Sequence, residues 1–289
     1  MKVVLITGAS SGFGLKSVEY FLSRDWIVIA TLRRLEDRKE PLFSELLREY
    51  PRTLILKELD VTKENDRSDL AHFLKEEMHS QLDVLLNNAG YGIYGAFEDF
   101  SELEIRDQLE VNYFGLALLT KELLPFLRNA KGRLINVSSI LGLMGIPMGS
   151  QYAASKFALE GLSESLYYEL KGRGVSVTLV EPDSHKTEFA SNTKWVKESL
   201  NEQSEYFDEF AHYQKHLKET LRSKGNDPMN TVRKIYRAAT MEKPPLRMTA
   251  GRMSAALAAV KKILPERIFL GMMEIYSRQA LGAKKQAES

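Results

Sequence analysis

Tyr152 and Lys156 stand four residues apart in a segment whose apolar residues recur with helical period. Residues at this spacing share one face of a helix, so both side chains can enter the same site. A phenol has an ordinary pKa of about 10, and a nearby ammonium group lowers that pKa. Such a tyrosine can donate a proton to a carbonyl during reduction or remove one from an alcohol during oxidation. The pattern also arises by chance, so its meaning depends on the residues that accompany it.

Further polar residues lie at the ends of predicted strands. Ser139 closes the sequence NVSS, thirteen residues before Tyr152, and the sequence NNAG at 87–90 follows another apolar run. Asn112 lies in a helical segment between these two runs. Because the active site of an open α/β sheet lies at the carboxyl ends of its strands, Ser139 and the NNAG sequence are predicted to lie close to that site, together with Tyr152 and Lys156.

A glycine-rich turn, TGASSGFG at 7–14, joins the first predicted strand to the first predicted helix. Glycines at such a turn let backbone N–H groups approach a pyrophosphate at the helix N-terminus. The spacing is G-x-x-x-G-x-G, and the alternative is a turn that only connects two elements. Its position at the first βα turn favours the dinucleotide interpretation.

The end of the second predicted strand indicates which dinucleotide is bound. NAD-binding proteins usually carry an acidic residue there, but here Thr31 occupies that position and Arg33 and Arg34 follow. Arg33 together with Ser11 could pair with a 2′-phosphate, so NADP(H) is preferred over NAD(H). The alternative is that both arginines are solvated surface charges.

Short apolar runs alternate with segments of helical period through the first 180 residues. Runs without polar alternation are typical of parallel strands buried on both faces, and alternation with helices indicates right-handed crossovers. No internal repeat or linker divides the chain. The predicted fold is therefore α/β, a single-domain, Rossmann-like, doubly wound parallel sheet. The predicted strands are 3–7, 26–31, 53–57, 82–86, 132–138 and 175–180.

Composition narrows the function classes. The chain of 289 residues has 40 Lys and Arg against 39 Asp and Glu, which argues against broad binding to nucleic acid. It has no Cys, which excludes disulfides, thiolate metal sites and a Cys nucleophile and fits a reducing compartment. Neither a secretory signal nor a transmembrane run is recognisable, so a cytoplasmic location is expected. His212 and His216 have a zinc-compatible spacing but are interpreted as a solvated helix face, and no metal site is predicted.

Jointly, these motifs resemble the short-chain dehydrogenase/reductase family in its short core form rather than its extended, epimerase-like form. The resemblance covers about the first 190 residues in the correct order. The matching features are TGASSGFG at 7–14, Asp60-Val61, NNAG at 87–90, Asn112, Ser139, YAASK at 152–156, and Pro182 followed by Thr187.

The resemblance implies that the protein interconverts a ketone or aldehyde and an alcohol by hydride transfer, with Tyr152 as acid/base. Ser139 would bind the substrate oxygen, Lys156 would lower the Tyr152 pKa and hold the nicotinamide ribose, and Asn112 would anchor a water in a proton relay. The cofactor itself supplies the hydride chemistry. The implied cofactor contacts are Gly8, Ser10, Ser11, Gly12, Phe13, Gly14, Arg33, Asp60, Val61, Asn88, Ala89, Gly90, Tyr152, Lys156, Pro182 and Thr187.

One position departs from the family pattern. The family usually has Pro-Gly after the sixth strand, whereas this sequence has Pro182-Asp183. A residue other than Gly is strained if its φ must be positive, so the departure puts the loop on the nicotinamide side in doubt.

The last hundred residues carry little of the family core. The expected organisation is a catalytic domain over 1–250, with a helical substrate lid at about 188–225, and a helical extension over 251–289 packed on the same domain. Lid aromatics either line an apolar substrate pocket with the segment 143–148 or simply pack against the sheet. The side chains concerned are Trp195, Tyr206, Phe207, Phe210 and Tyr213 of the lid, and Leu143, Met144, Ile146 and Met148.

The extension is basic and amphipathic, with seven Lys and Arg against three Glu in 251–289. Peripheral contact with a membrane is one interpretation, and packing onto the core or a partner subunit is the favoured one. The tail is loosely similar to those of 17β-hydroxysteroid and retinol dehydrogenase-like members. The family resemblance also implies a homodimer or homotetramer formed through the long helices that contain Asn112 and Tyr152.

Two other functions compete with an NADP(H)-dependent enzyme acting on an apolar substrate. One is an NADP(H)-binding sensor or scaffold with little catalysis, which would not need Tyr152 and Lys156 so placed. The other is an NAD-dependent epimerase or dehydratase, which fits the glycine spacing less well.

Overall fold

Short runs rich in Val, Ile and Leu form the central sheet of the computed structural model, which describes residues 1–185, 192–223 and 226–282, without the side chains of 38–41 and 221–223. The seven strands lie in the order β3-β2-β1-β4-β6-β7-β9, and every neighbouring pair is parallel. A separate parallel pair joins β5 and β8. The strands are β1 Val3–Ile6, β2 Ile27–Leu32, β3 Leu54–Glu58, β4 Val84–Asn87, β5 Ile93–Tyr94, β6 Arg133–Val137, β7 Ser176–Pro182, β8 Lys194–Trp195 and β9 Arg247–Ala250.

Helices cover both faces of the sheet. Three of them lie on one face, three on the other, and the last elements pack beyond the carboxyl ends of the strands. The helices are α1 Gly12–Leu22, α2 Leu35–Glu49, α3 Glu64–Glu76, α4 Glu102–Leu109, α5 Leu116–Ala130, α6 Ser150–Lys171, α7 Phe207–Ser223, α8 Pro228–Thr240, α9 Arg252–Ile263 and α10 Glu266–Leu281.

β1 shows why the strands lack polar alternation. Val4 and Ile6 point into a core shared with α1, α2 and α8, whereas Val3 and Leu5 point into a second core shared with α3, α5 and α6. All four side chains are completely buried. A strand buried on both faces needs apolar residues at every position, which confirms the prediction of a doubly wound α/β fold.

The order of the strands reverses between β1 and β4. The chain runs outward from β1 to β2 and β3, then crosses to β4 on the other side of β1. In open α/β sheets, ligands bind in the crevice above such a reversal, beyond the carboxyl ends of the strands. The glycine-rich turn follows β1 and the NNAG sequence follows β4, so both predicted cofactor motifs meet at this crevice.

The six predicted strands agree with the structure to within a few residues at their ends, but β9 and the short pair β5 and β8 were not predicted. The predicted lid contains β8 and α7, although 188–191 and 224–225 lie outside the described residues. The predicted helical extension contains α9 and α10, and the division into 1–250 and 251–289 stays a prediction. In the described part of the chain, no helix has both the length and the hydropathy needed to span a bilayer.

Candidate active site

Helix α6 presents Tyr152 and Lys156 to one site, as their spacing predicts. Tyr152 is 7 % exposed and Lys156 is 5 % exposed. Lys156 Nζ donates a hydrogen bond to the Val137 carbonyl at 2.9 Å, where β6 ends, and lies 5.8 Å from the centre of the Tyr152 ring. The buried ammonium is thus held beside the phenol by a strand carbonyl.

Ser139 follows β6 and starts a single turn of 3-10 helix, Ile140–Gly142. Its Oγ accepts a hydrogen bond from the Leu141 N–H at 3.2 Å, which fixes the side chain at the carboxyl edge of the sheet. The Ser139 hydroxyl lies near enough to the Tyr152 phenol to act on its pKa. The predicted pair of hydroxyl groups is therefore assembled around one point, where a substrate oxygen can meet both.

Burial dominates the electrostatics of this pair. It raises the pKa of Tyr152 to about 12, and the Ser139 hydroxyl acts in the opposite direction. It also lowers the pKa of Lys156 to about 8, with the Glu160 carboxylate acting in the opposite direction. The Tyr152 pKa is therefore raised and not lowered as expected from Lys156, because burial of the phenol outweighs the opposing effect of the Ser139 hydroxyl.

Asn112 is fully buried in a π-helical turn, Glu110–Gly115, between α4 and α5. Its Nδ2 donates to the Tyr91 carbonyl at 2.9 Å and to Ser155 Oγ at 3.0 Å, while its Oδ1 accepts from the Tyr91 N–H at 3.1 Å. Ser155 Oγ in turn donates to the Tyr152 carbonyl. A π turn inside a helix is often found at a functional site, and here it points an amide at the helix that carries the phenol.

The glycine-rich turn and the NNAG sequence are joined directly. Thr7 Oγ1 accepts hydrogen bonds from the N–H groups of Asn88 and Ala89, both at 2.9 Å, and Asn88 Nδ2 donates to the carbonyls of Thr7 and Gly8. Gly8 has a φ of +65°, and a Cβ there would lie 2.9 Å from the Ala89 Cα. A Cβ at Gly14 would overlap the Gly8 carbonyl. The turn thus forms a backbone cradle that fits a pyrophosphate.

The remaining predicted cofactor contacts are distributed along the same crevice. Arg33 is exposed just after β2, and Ser11 is the N-cap residue of α1. Asp60 accepts hydrogen bonds from the N–H and hydroxyl of Thr62, and Val61 is buried. Thr187 lies outside the described residues. Gly12 and Phe13 start α1, and the others lie on turns or strand ends that border the crevice: Ser10, Ala89, Gly90 and Pro182.

Asp183 does not adopt the left-handed backbone conformation that its replacement of a glycine raised as a concern. Its φ is not positive, unlike that of six other non-glycine residues in the described part of the chain. Its carboxylate instead accepts a hydrogen bond from Asn226 Nδ2 at 2.7 Å and one from the Ser254 N–H at 3.4 Å. The loop after β7 is therefore tied to the start of α9.

An apolar and aromatic layer covers Tyr152. Tyr94 of β5 lies with its ring centre 5.8 Å from that of Tyr152 and 6.2 Å from that of Tyr213 on α7. Burial raises the pKa of Tyr94, and the nearby phenols of Tyr152, Tyr213 and Tyr276 raise it further. Of the predicted lining residues, Met144, Ile146, Met148, Trp195, Phe210 and Tyr213 belong to this layer.

The layer also contains residues that the sequence analysis missed. Tyr94 comes from a two-residue strand, and Phe269 and Tyr276 come from α10. The helical spacing of Phe269, Met273 and Tyr276 was the available signal. Tyr206, predicted to line the pocket, is exposed and donates instead to Glu98 at 3.3 Å.

A partly buried charge network behind Lys156 was also missed. Arg247 Nε lies 3.0 Å from Glu160 Oε2 and 3.5 Å from Glu181 Oε1, and Arg247 Nη2 lies 2.7 Å from Glu164 Oε2. Glu160 follows Lys156 by one helical turn, which was the local signal. Its partner Arg247 comes from β9, the strand that was not predicted.

A sheet of this topology with acid–base side chains at its carboxyl edge defines the class of Rossmann-fold oxidoreductases. Comparison with known proteins narrows the class. The family model described as short chain dehydrogenase matches residues 2–197, so the chain belongs to that family. The protein is therefore an oxidoreductase that acts on an alcohol or carbonyl group with a nicotinamide dinucleotide.

Similar proteins span nearly the whole chain. A 3-ketodihydrosphingosine reductase from Bacteroides thetaiotaomicron is 34% identical over 95% of this chain and 97% of its own length. An NADPH-dependent 3-dehydrocapnine reductase from Ornithobacterium rhinotracheale is 33% identical over 93% and 94%. A crystal structure of a short-chain dehydrogenase from Streptomyces avermitilis has a TM-score of 0.77 and 32% identity, covering 96% of this chain and 99% of that one.

Solved structures with bound cofactor include both dinucleotides. ElxO with NADP bound is 26% identical, with a TM-score of 0.69 over 88% of this chain and 99% of its own. A family member from Burkholderia phymatum in complex with NAD is 24% identical, with a TM-score of 0.78 over 93% and 95%, and shows the fold alone.

Proposed function

We propose that this protein is an NADP(H)-dependent oxidoreductase that interconverts an apolar ketone or aldehyde and the corresponding alcohol. The observation that carries the proposal is the pair of neighbouring hydroxyl groups of Ser139 and Tyr152, with the Lys156 ammonium beside it, beneath an aromatic layer. Two hydroxyl groups meeting at one point suit a single substrate oxygen. The apolar cover suits the rest of the substrate.

The chain's own residues handle the proton and the orientation, and the nicotinamide supplies or accepts the hydride when it is bound. In reduction, Tyr152 donates its proton to the substrate oxygen while Ser139 donates a hydrogen bond to the same atom. Because burial raises the pKa of Tyr152 to about 12, the phenol is protonated at neutral pH and ready to act as an acid. Lys156 stabilises the resulting phenolate.

The preference for NADP(H) is supported at the end of β2. Thr31, which occupies the usual acidic position, is fully buried and donates a hydrogen bond to the Ile6 carbonyl at 3.2 Å. No carboxylate is therefore offered to the ribose from that position. Arg33 is exposed at the next turn and carries a charge suited to a 2′-phosphate.

The apolar substrate is supported by the same layer that covers Tyr152. Because Tyr152 is 7 % exposed, a substrate must displace part of the apolar and aromatic layer around it. That opening favours a ligand whose apolar body replaces the contacts that are lost. The two relatives above are named for their action on 3-keto and 3-dehydro compounds, which also favours reduction.

Self-association is part of the proposal. Phe114 beside α5, together with Phe157 and Tyr168 on α6, leaves large apolar side chains 45–66 % exposed on neighbouring helices. Such a patch supports a homodimer or homotetramer through these helices. Light scattering of the full chain measures it directly, and a monomer at all concentrations would contradict it.

The test of the proposed activity is an assay of apolar ketones with NADPH and of apolar alcohols with NADP⁺. Tyr152→Phe should remove turnover while leaving NADPH binding largely intact, because only the hydroxyl is deleted. Tyr168→Phe makes the same chemical change at an exposed position of α6 and should leave turnover unchanged. Cofactor binding without turnover across the panel would favour the sensor interpretation, and undiminished turnover in Tyr152→Phe would refute the mechanism.

A further inference from the structure

Glu160 is a buried carboxylate one helical turn after Lys156 on α6. Its side chain is 6 % exposed, and the spacing of four residues places both groups on the same face of the helix. Burial lowers the pKa of Lys156, and the Glu160 carboxylate acts against this effect. The charge on Glu160 therefore helps to decide whether Lys156 keeps its proton.

Burial also works against the charge on Glu160 itself, because it raises the pKa of that carboxyl group. The Ser138 hydroxyl, Arg247 and Lys156 act in the opposite direction. Arg247 contacts the carboxylate directly, since its Nε donates a hydrogen bond to Oε2 at 3.0 Å. A buried carboxylate stays ionised only where such partners offset the loss of water, so Arg247 supports the charge on Glu160.

The same guanidinium faces two further carboxylates. Its Nη2 donates to Glu164 Oε2 at 2.7 Å, and its Nε lies 3.5 Å from Oε1 of Glu181, which is almost completely buried on β7. Burial and the like charge of Glu160 raise the pKa of Glu181, whereas Arg247 and Lys262 of α9 lower it. Without Arg247, the two buried carboxylates would repel each other with less compensation, which favours a proton on one of them.

We propose that Arg247 is a positioning residue for the acid–base pair, which holds Glu160 ionised and thereby keeps Lys156 charged beside Tyr152. Arg247 acts through Glu160, because it bonds that carboxylate, and the carboxylate in turn acts on the pKa of Lys156. The arginine comes from β9, beyond the end of the family match at residue 197. A strand outside the matched region thus sets the charge of a lysine at the candidate active site. The consequence for turnover rests on the proposed function, whereas the coupling of Arg247 to Lys156 does not.

The alternative is a purely structural role, in which Arg247 only fastens β9 to α6. The test follows the side-chain ¹⁵N resonance of Lys156 with pH in the full chain without substrate, and Lys156→Arg identifies that resonance by its loss. Arg247→Gln should lower the pH at which Lys156 loses its proton by about one unit, as is typical when one nearby opposite charge is lost. Arg247→Lys keeps the positive charge and should restore most of the shift. Arg252→Gln removes an exposed arginine on α9 and should change nothing.

A double substitution shows whether Arg247 acts through Glu160. The carboxylate is already absent in Glu160→Gln, so adding Arg247→Gln should cause no further shift in the Lys156 titration. An equal shift with and without the Glu160 carboxylate would overturn the proposal, as would an unchanged titration in Arg247→Gln alone. If Arg247→Gln does not fold, combining it with Glu181→Gln removes one carboxylate that the arginine offsets. That pair should shift the titration relative to Glu181→Gln alone, and no shift would again overturn the proposal.

Turnover separates this proposal from the proposed function. The fall of kcat/KM with rising pH should move in Arg247→Gln by the same amount as the Lys156 titration. Loss of stability in urea with neither pH profile moved would assign Arg247 a structural role alone and overturn the proposal. A shifted titration with an unmoved kcat/KM profile would overturn its catalytic part. A shifted titration in a protein whose wild-type chain turns over no carbonyl compound would count against the proposed activity alone.

Discussion

Gly251 lies directly against the carboxylate of Asp183, with no room between them for a Cβ. Gly251 has a φ of +153° and is the N-cap residue of α9. Asp183 reaches across from the end of β7 and accepts the Ser254 N–H in the first turn of that helix. A carboxylate at a helix N-terminus is stabilised by the unpaired N–H groups there. Asp183, which stands where the family usually has Gly, therefore interacts with the start of the C-terminal extension.

Gly251→Ala should destabilise the protein. The added Cβ meets the Asp183 carboxylate, and the φ of +153° is strained for any residue with a side chain, so the expected loss is about 1–3 kcal/mol. Gly161→Ala is the matched control, because nothing lies within 4 Å of a Cβ there and the position is inside α6. It should be neutral or stabilising by up to about 1 kcal/mol. Urea unfolding of both variants measures the difference. Equal effects of the two substitutions would contradict the close contact between Gly251 and the Asp183 carboxylate.

Arg33→Ala should weaken NADPH binding more than NADH binding. Only NADPH carries the 2′-phosphate, and losing one charged hydrogen bond costs roughly 1.5–3 kcal/mol. Arg173→Ala removes an exposed arginine just after α6 and should change neither affinity. Fluorescence titration with both dinucleotides gives the four dissociation constants needed. Equal losses for NADPH and NADH in Arg33→Ala would refute the phosphate contact.

The rate of reduction should fall as pH rises through about 8. Burial lowers the pKa of Lys156 to about 8, so above that pH the ammonium that stabilises the Tyr152 phenolate is lost. The Glu160 carboxylate raises the pKa of Lys156, so Glu160→Gln should move the fall to lower pH. The pH dependence of kcat/KM for both proteins tests this. A decline that stays in place in Glu160→Gln would show that another group controls it.

The fold could be predicted where the sequence signal is local. β1 and its neighbours are apolar at every position, so their residues alone identify buried parallel strands. β9 has the sequence RMTA, which has no such signal, and it is a strand because it pairs with β7 at the edge of the sheet. The two-residue strand that carries Tyr94 likewise depends on a partner one hundred residues away in the chain.

In the candidate site, too, some features have a local sequence signal and others depend on residues far apart in the chain. Tyr152 and Lys156 could be placed together because helical spacing brings them together. The contact of Arg247 with Glu160 joins residues 87 positions apart, and that of Asp183 with Asn226 joins residues 43 apart. No periodicity relates such positions, so only the folded chain reveals them. The direction of the Tyr152 pKa shift also depends on burial, which spacing alone does not give.

The buried carboxylates around Arg247 should make stability depend on pH. Burial raises the pKa of Glu181 to about 7, and Glu160 raises it further while Arg247 acts against the rise. The folded state therefore binds more protons than the unfolded state between about pH 4.5 and pH 7, so the stabilisation present below this window is lost as pH rises through it.

Glu181→Gln should remove the largest part of this dependence, because an amide does not titrate, whereas burial also raises the pKa of Glu160, which remains. The free energy of unfolding of the wild-type chain should fall from pH 5 to pH 7, by about 3 kcal/mol at most for a shift of this size, and that of the variant should fall much less. Glu169→Gln, an exposed position on α6, is the control and should keep the wild-type slope. Urea unfolding at a series of pH values supplies the measurement. Parallel curves for all three proteins would mean that Arg247 keeps Glu181 ionised throughout.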